Sequence, residues 1–245
     1  MNNFNIKIIQ SLKNKKNRIE NKLFIVEGKR LLKSALHHKK IIKEIYFTET
    51  FKIKNNSIFK KIKELKISNK KISEKHLKKI SFTKNPPGII ALCKILESKK
   101  INFVKNKWVY LDNISDPGNL GTILRSASWF NFKNIALSKN CVDPYNPKVI
   151  RSSMGSIFNV SIQIGIDLQK FPDDYVILGT DKKGINFNNF TIPKRFVLII
   201  GNEANGISKK NINSIKQMIK IKKLGDGESL NAATAASIIM YEFSK

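Results

Sequence analysis

Three short segments in the second half of this 245-residue chain carry side chains able to hold and orient a polar substrate. The first runs from Asp112 to Arg125 and places Asn119 six residues before Arg125. The second is Gly201-Asn202-Glu203-Ala204-Asn205-Gly206, and the third is Leu224-Gly225-Asp226-Gly227-Glu228-Ser229-Leu230-Asn231. Amides, a hydroxyl, a carboxylate and a guanidinium together supply donors and acceptors suited to a sugar or a phosphate. Arginine is scarce, five against 41 lysines, so an Arg where Lys is the default points to a need for its planar fork. Taken singly, each segment has a plainer reading. Asn119 can cap a helix that begins near Leu120, a Gly-Asn loop is an ordinary turn, and Ser229 is a good N-cap. Neither Gly-x-Gly-x-x-Gly nor a P-loop Gly-Lys-Ser/Thr is present, which removes the dinucleotide and nucleotide-triphosphate fingerprints.

The elements that must position these residues follow from hydrophobic pattern. From Trp108 onward the chain alternates strand and helix. Strands are predicted at Trp108–Leu111, Ile135–Leu137, Val176–Gly179 and Phe196–Ile200, and helices at Leu120–Phe130, Pro147–Met154 and Ser229–Phe243. Strands that read as unbroken apolar runs are buried on both faces, which predicts a parallel sheet covered by helices. Ligands of such sheets sit beyond the carboxyl ends of the strands, where the first two segments fall. A helix from Leu120 places Arg125 in its second turn, directed back toward the loop. Ala232, Ala233, Ala235 and Ala236 would give the last helix a smooth face for close packing.

The first part of the chain has a different texture. Residues 1–100 hold 27 Lys and Arg against 7 Asp and Glu, whereas residues 101–245 hold 19 against 11. Richness in Lys, Asn and Ile is also what an A+T-rich genome produces, so the distribution of charge says more than the total of +28. Helical and β-rich runs alternate through Phe24-Ile25-Val26, the amphipathic stretch Lys29–His38, Ile41–Phe47, helices near Ile58–Leu65 and Glu74–Lys79, and a strand at Gly88–Ile95. This predicts a small basic α/β domain over 1–97, a polar linker over 98–107, and a second domain over 108–245. Clustered cations attract phosphates by neutralising them and releasing counterions. The two cysteines, Cys93 and Cys141, match no metal-ligand spacing and no disulfide framework, so no metal is expected. No run approaches a membrane span and no leader is visible, which predicts a soluble, cytoplasmic protein.

In this order the three segments resemble the motifs of the SpoU (TrmH-like) family of RNA ribose 2'-O-methyltransferases, in the SPOUT superfamily. Asn119 and Arg125 match the first motif, Gly201, Asn202 and Glu203 the second, and Ser229, Leu230 and Asn231 the third; the likeness covers 108–245. Ala204 departs from relatives that carry a second glycine after the Glu. The basic part is similar to the family's ribosomal-protein-like RNA-binding extension, through Phe24-Ile25-Val26-Glu27-Gly28-Lys29-Arg30 and Pro87-Gly88-Ile89. The resemblance implies an α/β fold whose parallel sheet carries a deep trefoil knot, S-adenosylmethionine as cofactor, and a homodimer with an active site shared between subunits. It implies catalytic roles for Arg125, Asn119, Glu203, Ser229 and Asn231. Cofactor contacts would come from Thr180, Gly201, Asn202, Gly206, Ile221 and Leu230, and RNA contacts from Lys29 and Arg30.

A guanidinium is protonated at ordinary pH, so Arg125 could act as a base only in an exceptional site, whereas holding a phosphate and orienting a ribose asks nothing unusual of it. The histidines His37, His38 and His76 lie outside the motifs. By the same resemblance, the separate RNA-binding extension implies ribosomal RNA, 23S in particular, rather than transfer RNA, which stays as an alternative. Two further alternatives stand beside this reading: a non-catalytic RNA-binding or ribosome-assembly protein, and a methyltransferase acting on a base nitrogen.

Overall fold

The computed structural model describes residues 3–95, 101 and 103–245. The chain folds as two compact units, one made of Met1–Glu97 with Asp143–Phe158 and the other of Ser98–Val142 with Asn159–Lys245.

In the first unit, α1 (Asn3–Ser11) and α2 (Lys15–Asn21) precede β1 (Leu23–Glu27), α3 (Lys29–Leu36), β2 (Ile42–Phe47), α4 (Glu49–Lys54), α5 (Asn56–Glu64), β3 (Asn69–Lys71), α6 (Glu74–Ile80) and β4 (Ile89–Lys94). The strands form one sheet in the order β1-β4-β2-β3, with β4 antiparallel to both its neighbours. Every residue of β1 is buried. Leu23 and Ile25 pack with Ile6, Ile9, Leu77 and Ile80 of α1 and α6. Strand alternation turns Phe24 and Val26 to the other face, where the ring of Phe24 lies 4.9 Å from that of Tyr145. The apolar stripe Leu31, Leu32, Ala35 and Leu36 of α3 is buried as its helical spacing requires. β3 forms the sheet edge and is wholly exposed, and lysines there discourage further strand pairing.

The second unit starts with β5 (Lys107–Leu111), α7 (Pro117–Trp129) and β6 (Asn134–Leu137). The chain then leaves it for the segment 143–158, which carries α8 (Pro147–Ser152) and belongs to the first unit. It returns for β7 (Ser161–Ile164), β8 (Val176–Asn186), β9 (Phe196–Ile200), α9 (Lys209–Ile212), β10 (Gln217–Lys220) and α10 (Ala232–Glu242). All six strands are parallel, in the order β10-β8-β9-β5-β6-β7. β9 is buried throughout, as its unbroken apolar run demands. Among the described residues no helix is long and apolar enough to cross a membrane.

Two features depart from the sequence reading. Part of the expected linker, residues 98–100 and 102, lies outside the described residues. Its later portion is held by the second unit: Tyr175 Oη donates to the carbonyls of Phe103 and Lys105 (2.6 and 2.5 Å), and Arg195 donates to Phe103 O at 2.6 Å. The helix expected at 147–154 clusters with the first unit, although its sequence neighbours belong to the second. The physical reason is a buried charge. Arg18 of α2 is 2% exposed; its Nε and Nη2 donate to Asp143 Oδ2 at 2.8 and 2.6 Å, and its Nη1 donates to the carbonyls of Leu12 and Lys13. A guanidinium removed from water needs a carboxylate partner, and the partner is carried by the inserted segment.

Asp143→Ala, which strands Arg18 without its counter-ion, is therefore expected to lower the unfolding free energy by about 3–5 kcal/mol. Urea titration of both proteins checks this; an unchanged midpoint would mean that the pair contributes nothing.

Candidate active site

Starting from β5, the strands β6 and β7 are added in one direction, whereas β8 restarts on the other side and β9 enters between β8 and β5. The β5–β9 junction is thus a topological switch point, and the crevice beyond it is where open parallel sheets take ligands. The loops after β5 and β9 are the first two sequence segments.

α7 begins at Pro117, earlier than expected, and its N-cap is Asp116, whose Oδ1 accepts the N–H of Asn119 at 2.8 Å. Proline suits the first helical position because no N–H is needed there. The cap role expected of Asn119 is therefore taken by Asp116, and the Asn119 side chain is free for other bonds. Its Nδ2 donates to Glu203 Oε1, and its Oδ1 accepts from Asn231 Nδ2 at 2.9 Å. Asn231, and not Ser229, caps α10: its Oδ1 accepts from the N–H groups of Ala233 (2.9 Å) and Thr234 (3.3 Å). With Oδ1 committed to the helix, only Nδ2 is left to face Asn119, so each amide in the chain of bonds has one permitted orientation.

This contact requires α7 and α10 to lie side by side and parallel. The hydroxyls of Ser126 and Ser237 meet at 2.6 Å, and Ser244 Oγ donates to Phe130 O at 3.2 Å. Leu120, Ile123, Leu124 and Ala127 of α7 are buried, as are Ala232, Ala233, Ala236 and Met240 of α10, while Ala235 is half-buried.

The loop after β9 is closed by its own polar groups. Asn202 Nδ2 donates to Asn113 O at 2.9 Å, its Oδ1 accepts from Ala204 N and Asn205 N, and its backbone exchanges hydrogen bonds with Gly206. Ser208 N donates to Asp112 Oδ2 at 2.8 Å, and Asp112 is buried. The two glycines serve different needs. A Cβ on Gly201 would lie 2.4 Å from the carbonyl carbon of Gly206, whereas Gly206 has a φ of +63° with open space around it. Ala204 lies outside the left-handed region, so its methyl introduces no strain.

The structure brings Asn119, Glu203 and Asn231 together and leaves the other candidates outside that network. Arg125 is the ninth residue of α7, in the third turn rather than the second. It is exposed, with no hydrogen bond or ion pair to any described residue. Ser229 is exposed and likewise makes no bond to a described residue. Thr180 Oγ1 donates to Ile199 O at 3.1 Å, and Ile221 is half-buried. Leu224 and Leu230 are 85% and 50% exposed, and a Cβ added at Gly225 or Gly227 would meet nothing within 4 Å. The 221–231 loop therefore offers open backbone and uncovered apolar side chains. Lys29 and Arg30 stand exposed in the first turn of α3 in the first unit.

Sequence reasoning quoted Asp112, Asn113 and Asp116 within the first segment without giving them roles, and it passed over Ser138, whose Oγ accepts from Asn113 N at 2.9 Å. Asp116-Pro117 is itself a cap-and-first-turn signature. The nucleophile candidates are silent. Burial pushes the Cys93 and Cys141 thiols up from their ordinary value. Burial, with Asp112 adding to it, raises Tyr110 to about 12, so it stays a hydroxyl and donates to Ile166 O. What remains is a site that binds and orients.

The fold and this constellation define an α/β protein with a ligand crevice at the switch point of a six-stranded parallel sheet and a second, N-terminal unit. The chain belongs to the SpoU rRNA Methylase family, whose model matches residues 106–241; residues 3–91 match the MRM3-like substrate binding domain. Among its relatives is the 23S rRNA (guanosine(2553)-2'-O)-methyltransferase RlmP of Bacillus subtilis, 29% identical over 245 residues, covering 98% of this chain and 95% of the relative. The AdoMet-bound rRNA methyltransferase of Sinorhizobium meliloti has a TM-score of 0.84 at 26% identity, covering 98% of this chain and 94% of that one. The SpoU methyltransferase AviRb of Streptomyces viridochromogenes has a TM-score of 0.84 at 23% identity, covering 99% and 97%, a likeness of fold.

Gly201→Ala drives a methyl group into the Gly206 backbone and is expected to cost about 1–3 kcal/mol. Differential scanning calorimetry checks it; a melting temperature equal to that of the unaltered chain would show that the loop opens without cost.

Proposed function

We propose that this protein methylates a ribose 2'-hydroxyl of ribosomal RNA, 23S rRNA by preference, with S-adenosylmethionine as donor. The observation that carries the reading is the bond relay from the α10 N-terminus through Asn231 and Asn119 to Glu203, which unites all three motif segments at the switch point. The relatives support the substrate: RlmP is named for a 23S rRNA guanosine 2'-oxygen.

The loops fit the cofactor. Uncovered Leu224 and Leu230, the open glycine backbone of 221–231 and the closed 201–208 turn suit a ligand with an apolar ring and a polar tail. When bound, S-adenosylmethionine supplies a methyl group activated on a sulfonium. Methyl transfer to a hydroxyl is an in-line displacement, so most of the chain's task is positioning. Gly201, Gly206, Ile221 and Leu230 would line the cofactor site, with Thr180 at its edge. Asn202 shapes the turn, since both ends of its amide are engaged within the loop and with Asn113. Glu203, aimed by Asn119, and Asn231 and Ser229 would hold the ribose and sugar-phosphate through hydrogen bonds. Arg125, with its five donors unpaired among the described residues, would hold an adjacent phosphate and so orient the hydroxyl.

The finer features of the reading concern assembly. Trp129 at the end of α7 is 82% exposed and Tyr241 of α10 is 50% exposed, which supports a homodimer formed through these helices. An active site completed across that dimer would account for an Arg125 that has no partner among the described residues. β10 lies at the sheet edge beyond β8, yet α10 returns to α7 beside the central strands; this path supports a trefoil knot in the C-terminal chain. The first unit would hold the RNA, with Lys29 and Arg30 among its contacts, and the reaction would take place in the cytoplasm.

Purified protein incubated with labelled S-adenosylmethionine and total RNA from a host lacking the gene is expected to mark one ribose, detected as a linkage resistant to alkali. Arg125→Ala is expected to lower the rate by at least about 100-fold with cofactor affinity retained. Absence of transfer to any RNA, with both ligands still bound, would overturn the enzymatic reading in favour of an RNA-binding protein. Trp129→Ala is expected to shift sedimentation from dimer toward monomer; an unaltered dimer would remove α7 from the interface.

A further inference from the structure

The first unit holds a groove that the methylase reading does not use. It lies between α3 and α5, encloses about 230 Å³, and is lined by Lys33, Leu36, His37, Ser57, Ile58 and Lys61. Leu36 and Ile58 are buried and form an apolar floor, while Lys33 and His37 are exposed along its rim. No carboxylate lines it. The lysines of this chain differ in how they are engaged: Lys70 and Lys71 are neutralised by Glu44 and Glu49 at 2.8 and 3.0 Å, whereas neither Lys33 nor Lys61 has an ion-pair partner among the described residues. The Ser57 hydroxyl also makes no bond to a described residue.

Two further facts fix the sign and direction of the groove. Ser57 and Ile58 lie in the first turn of α5, where the partial positive charge of the helix adds to that of the lysines. Lys29, Lys33 and His37 recur every four residues, so they form one stripe along α3 that joins the groove to the exposed Lys29–Arg30 turn.

We propose that this groove is a phosphodiester-binding track for the RNA substrate: Lys33 and Lys61 pair with phosphate oxygens, Ser57 donates to one of them, and the Leu36–Ile58 floor supports the sugar. The track rests on the RNA reading above and extends it to a defined surface. It adds affinity without sequence preference, because its contacts are to the backbone.

The test is a Lys33→Glu, Lys61→Glu double variant beside a charge-matched control, Lys78→Glu, Lys79→Glu, on α6, which packs on the opposite face of the sheet. Binding of ribosomal RNA is measured over a salt series, with methyl-transfer kinetics in parallel. The groove variant is expected to bind RNA at least about tenfold more weakly, with a log–log salt slope shallower by about two, since each neutralised phosphate contributes about 0.9. KM for RNA should rise in step while kcat and cofactor affinity hold, and the control should keep both its affinity and its slope. Equal losses in groove and control variants, or full retention by the groove variant, would overturn the track and leave the methylase reading standing. Retained binding to naked RNA with a loss confined to assembled ribosomal particles would also overturn it, and assign the groove to an acidic protein surface. An unaltered protein that binds no RNA and methylates none would overturn both readings. The milder Lys33→Ala, Lys61→Ala pair removes the same two phosphate contacts, is expected to make the slope shallower by the same amount of about two, and guards against misfolding of the double Glu variant.

Discussion

The candidate site depends on one side chain with two obligations. Asn231 must satisfy the free N–H groups that open α10, and in doing so it presents its amide nitrogen to Asn119 on α7. Two helices that run parallel place their positive ends together, an arrangement their dipoles oppose. The Glu203 carboxylate, delivered by the neighbouring loop and bound by Asn119, supplies negative charge at that end. Helix packing, capping and placement of the acidic group are therefore a single electrostatic arrangement. A change to any of its three side chains disturbs the other two.

The sheet makes that arrangement possible. Because β9 enters beside β5 after β8 has restarted on the far side, loops separated by some 80 residues leave the sheet next to each other, as the Asn202–Asn113 bond spanning 89 positions records. The loops can be polar and exposed because the strands beneath them are not: Trp108, Val109, Phe196 and Val197 are all essentially buried and hold the frame. Gly201 lets the second loop fold tightly onto itself, and the buried Asp112 anchors its far end. The groups the network brings together are two amides and a carboxylate, in keeping with chemistry that depends on alignment.

The first unit obeys the same logic with different partners. A guanidinium carried by α2 is bonded to a carboxylate and two carbonyls, so the 143–158 segment, which lies inside the methylase family match, becomes part of the basic unit. Two of its lysines, Lys70 and Lys71, blunt the edge strand β3 and are paired with glutamates, whereas Lys33 on α3 and Lys61 on α5 have no ion-pair partner among the described residues.

Much of this was legible in the sequence. Unbroken apolar runs such as Phe196–Ile200 required strands covered on both faces, the 3.6-residue stripe of Leu31, Leu32, Ala35 and Leu36 required a helix, and the three polar segments could be singled out by residue type and spacing. These features depend on neighbours within a few residues, where periodicity and turn chemistry are expressed. The strands β3, β7 and β10 are only three or four residues long, too short for a period to stand out from the surrounding chain. The caps act locally, Asp116 on Asn119 N and Asn231 on Ala233 N and Thr234 N, but the partners left to the Asn119 and Asn231 amides were decided by their meeting across 112 positions. Likewise, nothing local tells Asp143 that its partner is Arg18. The local sequence determined the elements and the chemical alphabet of the site, whereas the tertiary structure decided which donors and acceptors are consumed by the fold and which remain for a ligand, since a hydrogen bond between distant residues exists only once the chain has brought them together.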